Sequence, residues 1–282
     1  MFDTVLMVDW SGGNDRGLTP KKDAIWLCAG GAEGVEDPLY LRNRQVAEAA
    51  LRDRLAAERA QGRRVLIGFD FPFGYPSGFL AALGLTSVFD LWAYFDQALE
   101  DSPRGNNRFT LADAMNAHLP GLGPFWFNAG RDDLPHLPRK KPPHAFPFAE
   151  RRLAETRATG AFTCWQMGGA GAVGSQAITG MALLSRLRRD FPVSVWPFEP
   201  LGQPIAMVEI WPSLVNSAVR AALHPGAIKD AVQVRVMVET VLAMQRAGSL
   251  APALAAVPDA ARAEEGWIFG LGAEESLAAA LS

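Results

Sequence analysis

Cysteine and histidine are scarce in this sequence, with two and four copies among 282 residues. Cys28 and Cys164 lie far apart and form no C-x-x-C pair, so neither a zinc cluster nor a disulfide framework is expected. The histidines show no metal-ligand spacing and do not combine with a serine or cysteine into a nucleophile-base set. Covalent hydrolase chemistry therefore has little support.

Long apolar runs and an excess of basic charge are missing as well. No stretch approaches the ~20 apolar residues that a membrane-spanning helix needs, so no membrane contact is expected. The N-terminal apolar run is short and follows Asp3, which indicates a strand and not a signal peptide. The net charge is −3, whereas a protein that acts on nucleic acid usually carries a basic face. The expected location is the cytoplasm, and the best local patch for a polyanion is Arg139-Lys140-Lys141.

What is present is an ordinary globular composition, with 49% apolar and 20% charged residues. Apolar runs predict strands at residues 4–8, 24–29, 39–41, 65–69, 193–196 and 206–211. Helical spacing predicts helices at residues 45–61, 78–83, 87–100, 175–189 and 229–245. An N-terminal hairpin followed by alternating helices and strands predicts an α/β fold, in which helices flank a mixed sheet on both faces.

Residues from about 102 to 160 differ from the rest because prolines crowd there, together with the aromatic run Phe125-Trp126-Phe127. Prolines interrupt both helices and sheet ladders. The segment is therefore predicted to be a loop-rich insertion within a single domain, placed to cover the functional site as a lid.

Three apolar strands each deliver a carboxylate at or near their C-terminal end, namely Asp9, Asp70 and Glu209. A lone buried carboxylate is costly, so such groups are normally paired, protonated or bound to a metal. A fourth acid, Asp230, opens the last long helix. If these strands are neighbours, their carboxylates converge, and a hard divalent cation such as Mg²⁺ or Mn²⁺ relieves the repulsion most simply.

Each acid also has a structural interpretation. Asp9 and Asp70 could be turn or cap residues, since glycines follow the first and a proline follows the second. Asp230 could complement a helix dipole, and Glu209 could pair with an arginine on a covering helix. A metal site with two cations would favour phosphodiester hydrolysis, because the metals stabilise the attacking and leaving oxygens.

Four motifs stand around the acids: Val8-Asp9-Trp10-Ser11, Gly68-Phe69-Asp70-Phe71-Pro72, Glu209-Ile210-Trp211-Pro212 and Lys229-Asp230-Ala231. They resemble the motifs of an uncharacterised family of predicted nucleases, the domain of unknown function 429, which has the ribonuclease H-like fold. A bacterial subgroup is the nearest likeness, through residues 68–76, 107–109, 123–126, 174–176, 196–199 and 264–267. Members of that subgroup are often labelled as molybdopterin guanine dinucleotide or cobalamin synthesis proteins.

The resemblance implies a single ribonuclease H-like domain with Asp9, Asp70 and Asp230 as metal ligands and Glu209 in support. The sequence departs from the ribonuclease H pattern in that Glu209 follows a late strand and not the first helix. Asp230 is the only acid at the start of its helix, where related folds often carry two. The sequence also has two late strands, whereas the minimal fold needs one.

A glycine-rich motif offers a competing interpretation. Residues 169–174 match G-x-G-x-x-G ahead of a helix, which is the pattern of dinucleotide-binding sites, but the preceding residues 162–167 make a poor strand. Ser175 and Gln176 are predicted to cap that helix, with binding of a substrate phosphate or base as the alternative. Ser11 precedes two glycines after Asp9 and could likewise bind a phosphate.

Two functions follow from these residues. The first is a magnesium- or manganese-dependent phosphodiesterase or nuclease that acts on nucleic acid or a nucleotide-type substrate. The second is a nucleotide- or pterin-binding protein that cuts no phosphodiester, in which the carboxylates hold a metal-nucleotide. A scaffold that has lost its chemistry is the third possibility.

Overall fold

The structure is a computed structural model that describes residues 1–14, 17–131, 133–169 and 171–281. Within those residues the main sheet has seven strands: β1 (Thr4–Asp9), β2 (Ile25–Gly31), β3 (Gly34–Val35), β4 (Leu39–Leu41), β5 (Val65–Phe69), β8 (Val193–Val195) and β9 (Ile205–Glu209). The strands β6 (Asp101–Ser102) and β7 (Gly105–Asn106) form a separate small hairpin.

The helices described are α1 (Arg44–Ala60), α2 (Phe79–Ala82), α3 (Val88–Ala98), α4 (Arg108–Ala117), α5 (Leu153–Arg157), α6 (Gly174–Asp190), α7 (Asn216–Ala222), α8 (Lys229–Arg246), α9 (Leu250–Ala255) and α10 (Glu274–Ala280). Two short 3₁₀ helices lie at Pro212–Val215 and Asp259–Ala261. No helix among the described residues combines the length and the apolar character needed to cross a membrane.

The sheet is mixed, with the strand order β3-β2-β1-β5-β9-β8 and β4 paired to β2. The strands β1 and β2 are antiparallel, whereas β1, β5, β9 and β8 run parallel to one another. Parallel strands end at the same edge of a sheet, so the residues that follow β1, β5 and β9 are brought to one edge.

Alternation along the strands sends side chains to two separate cores. In β1, Leu6 and Val8 face a core that includes residues of α1, α3 and α6, while Val5 and Met7 face a core built around α8. The expectation of a mixed sheet flanked by helices on both faces is confirmed. The main predicted strands and helices are also found, with ends that shift by at most two residues.

The proline-rich segment contains more regular structure than the sequence predicts. Its first part forms the β6–β7 hairpin and the ten-residue helix α4, whose Phe109, Ala112 and Met115 pack at helical spacing. Further along, Phe125 and Phe148 are buried against the core. The prediction of loops overlooked α4, which lies between Pro103 and the prolines that crowd from residue 120 onward. Asp132 belongs to this segment and lies outside the described residues.

Candidate functional site

The sheet brings Asp9 and Asp70 together. Val8 is in register with Phe69 across the parallel pair, so each aspartate stands one residue further on, at the same level. The two carboxyl groups lie within hydrogen-bonding reach of each other. The backbone N–H of Trp10 donates to Oδ1 of Asp70 at 2.6 Å, which holds the second carboxyl group in place.

Asp230 joins this pair from the covering helix. It lies in the first turn of α8, which packs on β1 and β2. Because side chains alternate along β1, Asp9 points away from the face of Val8 and toward the face that α8 covers. The backbone N–H of Asp23 donates to Oδ2 of Asp230 at 2.7 Å. Asp9, Asp70 and Asp230 are each half-buried.

The electrostatics show that these acids repel one another. Burial, then the charges of Asp70, Asp230 and Asp23, raise the pKa of Asp9 well above its usual value. Burial raises the pKa of Asp70 to about 7, with the charge of Asp230 adding to it. Burial also raises the pKa of Asp230, and Asp23 adds to that shift. A cation at this place would lower the cost of ionising all of these groups.

Glu209 lies on the other face of the sheet. Glu209 is in register with Phe69, and through Phe69 with Val8. It therefore lies one residue before the positions on β9 that are level with Asp9 and Asp70. Because side chains alternate, its carboxylate leaves the sheet on the opposite side. There it is almost fully buried in a bidentate ion pair with Arg152, at 2.7 and 2.8 Å, and also accepts from the N–H of Phe73 at 3.0 Å. The arginine pairing that the sequence left open is the geometry observed, although Arg152 precedes α5 and is not within it.

Ser175 and Gln176 do not cap α6. The helix begins at Gly174, with Val173 as an N-cap that makes no side-chain bond, so both residues already lie within the first turn. Ser175 Oγ donates to the carbonyl of Met167 and accepts from Nε of Arg108 at 2.7 Å. Gln176 Nε2 donates to the carbonyl of Trp10 at 2.9 Å, one residue after Asp9. These side chains hold the loop that follows β1.

That loop packs tightly against α6. A Cβ atom at Gly12 would stand 2.6 Å from Cβ of Ser175 and 3.0 Å from its carbonyl carbon, so position 12 has no room for a side chain. Ser11 Oγ donates to the carbonyl of Asp23 at 3.1 Å and accepts from Gly13 N–H at 3.2 Å. The buried guanidinium of Arg44 donates to the carbonyl oxygens of Ser11 and Gly13 at 3.1 and 2.5 Å.

The glycine-rich motif has a packing explanation. A Cβ atom at Gly174 would stand 2.7 and 2.8 Å from the carbonyl oxygens of Gln166 and Cys164, so this glycine permits a close backbone approach. The residues before the motif make one isolated bridge, between Trp126 and Gln166, and no strand of the kind that a dinucleotide site requires. Ala170, inside the motif, lies outside the described residues.

Sequence reasoning missed Asp23, Arg44 and Arg108. Asp23 is exposed two residues before β2, has a φ of 57° and donates its N–H to Asp230. An aspartate in the left-handed region is typical of a tight turn, and the polar residues before β2 carried that signal. The roles of Arg44 and Arg108 depend on long-range packing and had no local signal.

The donor set fits a hard divalent cation in its chemistry, since it consists of carboxylate oxygens with raised pKa values. The carboxyl groups of Asp9 and Asp70 are adjacent, as a shared cation requires, and Asp230 lies close enough to raise the pKa of both. Across the part of the chain that the structure describes, no group of three or more acidic, histidine or cysteine side chains already stands in a metal-holding arrangement.

Comparison of the chain with protein-family models, with curated proteins and with solved structures finds no match. The fold and the site thus define the class: a mixed α/β protein in which acidic side chains from two adjacent parallel strands and one covering helix gather at one edge of the sheet.

Proposed function

We propose that this protein is a divalent-metal-dependent phosphodiesterase or nuclease of the ribonuclease H-like class. The observation that carries the proposal is the contact between the carboxyl groups of Asp9 and Asp70, with Asp230 beside them. An N-terminal antiparallel hairpin joined to later parallel strands supports the fold assignment. The likeness of residues 8–11, 68–72 and 229–231 to the predicted nucleases of the domain of unknown function 429 agrees with it.

Asp9, Asp70 and Asp230 would hold Mg²⁺ or Mn²⁺. A bound divalent cation supplies stabilisation of the oxygens of a phosphodiester displacement. The chain's own contribution is positioning: Trp10 N–H orients Asp70, and Asp23 N–H orients Asp230. Glu209 supports the fold in this proposal and does not contact the cation, because Arg152 already neutralises it.

A cleft beside the acids is suited to a phosphate-containing substrate. It has a volume of about 430 Å³ and is lined by Ser11 and Asp23 together with the cationic side chains of Lys21, Lys22 and Arg42. Positive side chains on the wall of a cleft attract phosphate groups toward the acids. We also propose a cytoplasmic location, which the two free, buried cysteines support.

The test replaces Asp70 with asparagine, which keeps an acceptor for Trp10 N–H but removes the negative charge. We expect divalent-dependent cleavage of single- and double-stranded DNA and RNA and of a bis-nitrophenyl phosphate to fall on the order of 100-fold or more, since several kcal/mol of transition-state stabilisation is lost. Asp53→Asn on the exposed side of α1 is the matched control and should leave cleavage unchanged.

The proposal fails if Asp70→Asn cleaves as well as the wild type, or if the wild type cleaves none of these substrates with either metal. Thermal unfolding of both variants checks that the fold is intact. Stabilisation of the wild type by a mononucleotide without any cleavage would instead favour a nucleotide-binding protein.

A further inference from the structure

A second charged cluster lies on the far side of the loop that follows β1. Arg108 begins α4, and its Nε donates to Ser175 Oγ at 2.7 Å. Ser175 in turn stands against Gly12, three residues after Asp9. The guanidinium of Arg108 is thereby tied to the same short segment that leads away from the acidic pair.

This cluster has more hydrogen-bond donors than acceptors. Arg108 Nη1 donates to Asn106 Oδ1 at 2.6 Å, and the Nδ2 of Asn106 is buried without any acceptor. Buried donors are almost always satisfied in folded proteins, so a missing acceptor points to a bound group. Among the described residues, Arg108 Nη2 makes no hydrogen bond to the protein.

The cluster also carries more positive than negative charge. Arg44 pairs with Asp101 at 2.6 Å, but within the described chain no carboxylate pairs with Arg108 or Arg131. Burial, then the charges of Arg44 and Arg131, lower the pKa of Arg108 to about 10, and the charge of Asp101 only partly opposes this shift. Arg108 and Arg131 both lie over the ring of Phe109, with guanidinium carbons 4.6 and 4.3 Å from its centroid.

We propose that Arg108, Arg131 and Asn106 form an oxyanion site that binds a phosphate group of the substrate. A guanidinium offers a planar fork of donors that matches two phosphate oxygens, and two such groups lie against the ring of Phe109. A bound phosphate supplies the acceptor that Asn106 Nδ2 lacks and the negative charge that the arginines lack. The identity of the anion as a substrate phosphate rests on the proposed function.

The test measures binding of inorganic phosphate and pyrophosphate by isothermal titration calorimetry, in a chelator so that no divalent cation takes part. We expect saturable binding to the wild type, weakened at least about tenfold in Arg108→Gln, since the variant loses a charge-assisted hydrogen bond to the anion. Arg131→Gln should weaken binding as well. Arg220→Gln, which removes one exposed arginine on α7, is the charge-matched control and should bind like the wild type.

Arg131 is exposed, so its variant should fold even if Arg108→Gln does not. The proposal is overturned if the wild type binds neither anion, if Arg131→Gln binds like the wild type, or if Arg220→Gln weakens binding equally. Asp70→Asn separates this inference from the metal-dependent function: it should keep anion binding in chelator, whatever its effect on cleavage.

Discussion

At the scale of single residues, the candidate site depends on where each acid stands relative to the strand register. Within the β1–β5 ladder, Asp9 and Asp70 each follow the last paired residue, whereas Glu209 is itself the last paired residue of the β5–β9 ladder. Ile210 occupies the level of the two aspartates on the third strand, and it is buried among apolar side chains. A difference of one residue therefore separates a candidate metal ligand from a buried structural ion pair.

Replacement of Glu209 by glutamine tests this division. We expect the free energy of unfolding to fall by about 3 kcal/mol, because Arg152 then loses its main partner while buried. Urea unfolding measures the change. Binding of Mg²⁺ in calorimetry should be retained.

The surface variant Glu239→Gln breaks only an exposed pair with Arg235, so a loss below about 0.5 kcal/mol is expected there. Full stability of Glu209→Gln combined with a loss of Mg²⁺ binding would contradict the structural role of Glu209.

At the scale of elements, the site is assembled where the loop after β1 meets the first turn of α6. Gln176 and Arg44 donate to backbone carbonyls of this loop, and Gly12 allows it to approach the helix closely. The loop carries the backbone N–H of Trp10 that orients Asp70. The position of α6 therefore influences the acidic pair, although α6 contributes no acid to it.

Adjacent glycines provide a matched test of this contact. Gly12→Ala should destabilise the protein by about 1–3 kcal/mol, because its Cβ would overlap Ser175 and the loop must move. In Gly13→Ala the new Cβ meets only Ser11 Oγ at 3.4 Å, an ordinary contact. Thermal unfolding of the two variants should therefore differ clearly. Equal midpoints would show that the loop does not depend on its contact with α6.

At the scale of the whole molecule, the acidic site connects distant parts of the chain. The acids lie at the end of β1, just after β5, in the turn before β2 and in the first turn of α8. Folding brings these like charges together, and protonation of Asp70 relieves part of their repulsion. Global stability should therefore depend on pH through this site.

In chelator, we expect the stability of the wild type to fall relative to Asp70→Asn as the pH rises from about 4 to about 7. The folded chain keeps the proton on Asp70 up to about pH 7, whereas the unfolded chain releases it near its ordinary pKa of about 4. A single half-exposed carboxyl group limits the slope to below about 1.4 kcal/mol per pH unit. Urea unfolding at several pH values gives the difference.

Mg²⁺ should stabilise the wild type more at pH 8 than at pH 5.5, because the proton and the cation compete for the same carboxyl groups. Asp53→Asn should follow the wild type throughout. A constant difference between the wild type and Asp70→Asn across this pH range would contradict the raised pKa of Asp70.

Local pattern was enough to predict much of the fold. The uninterrupted runs at residues 4–8 and 65–69 can bury both faces only as central strands, and Asp9 and Asp70 stand directly at their exits. The helices α1, α6 and α8 follow from long stretches with helical spacing. The apolar spacing of α4 also predicts a helix, but the many prolines that follow it are typical of loops.

By itself, the sequence determined the long helices, the main strands and the two aspartates at strand ends, because periodicity and chain-breaking residues act over a few positions. Only the tertiary structure decided which acids meet. The register between β5 and β9 turned Glu209 toward Arg152, and packing of α8 on the sheet carried Asp230 to the aspartate pair. The same packing placed Asp23 and the arginine cluster nearby, since contacts between residues far apart in sequence leave no local pattern.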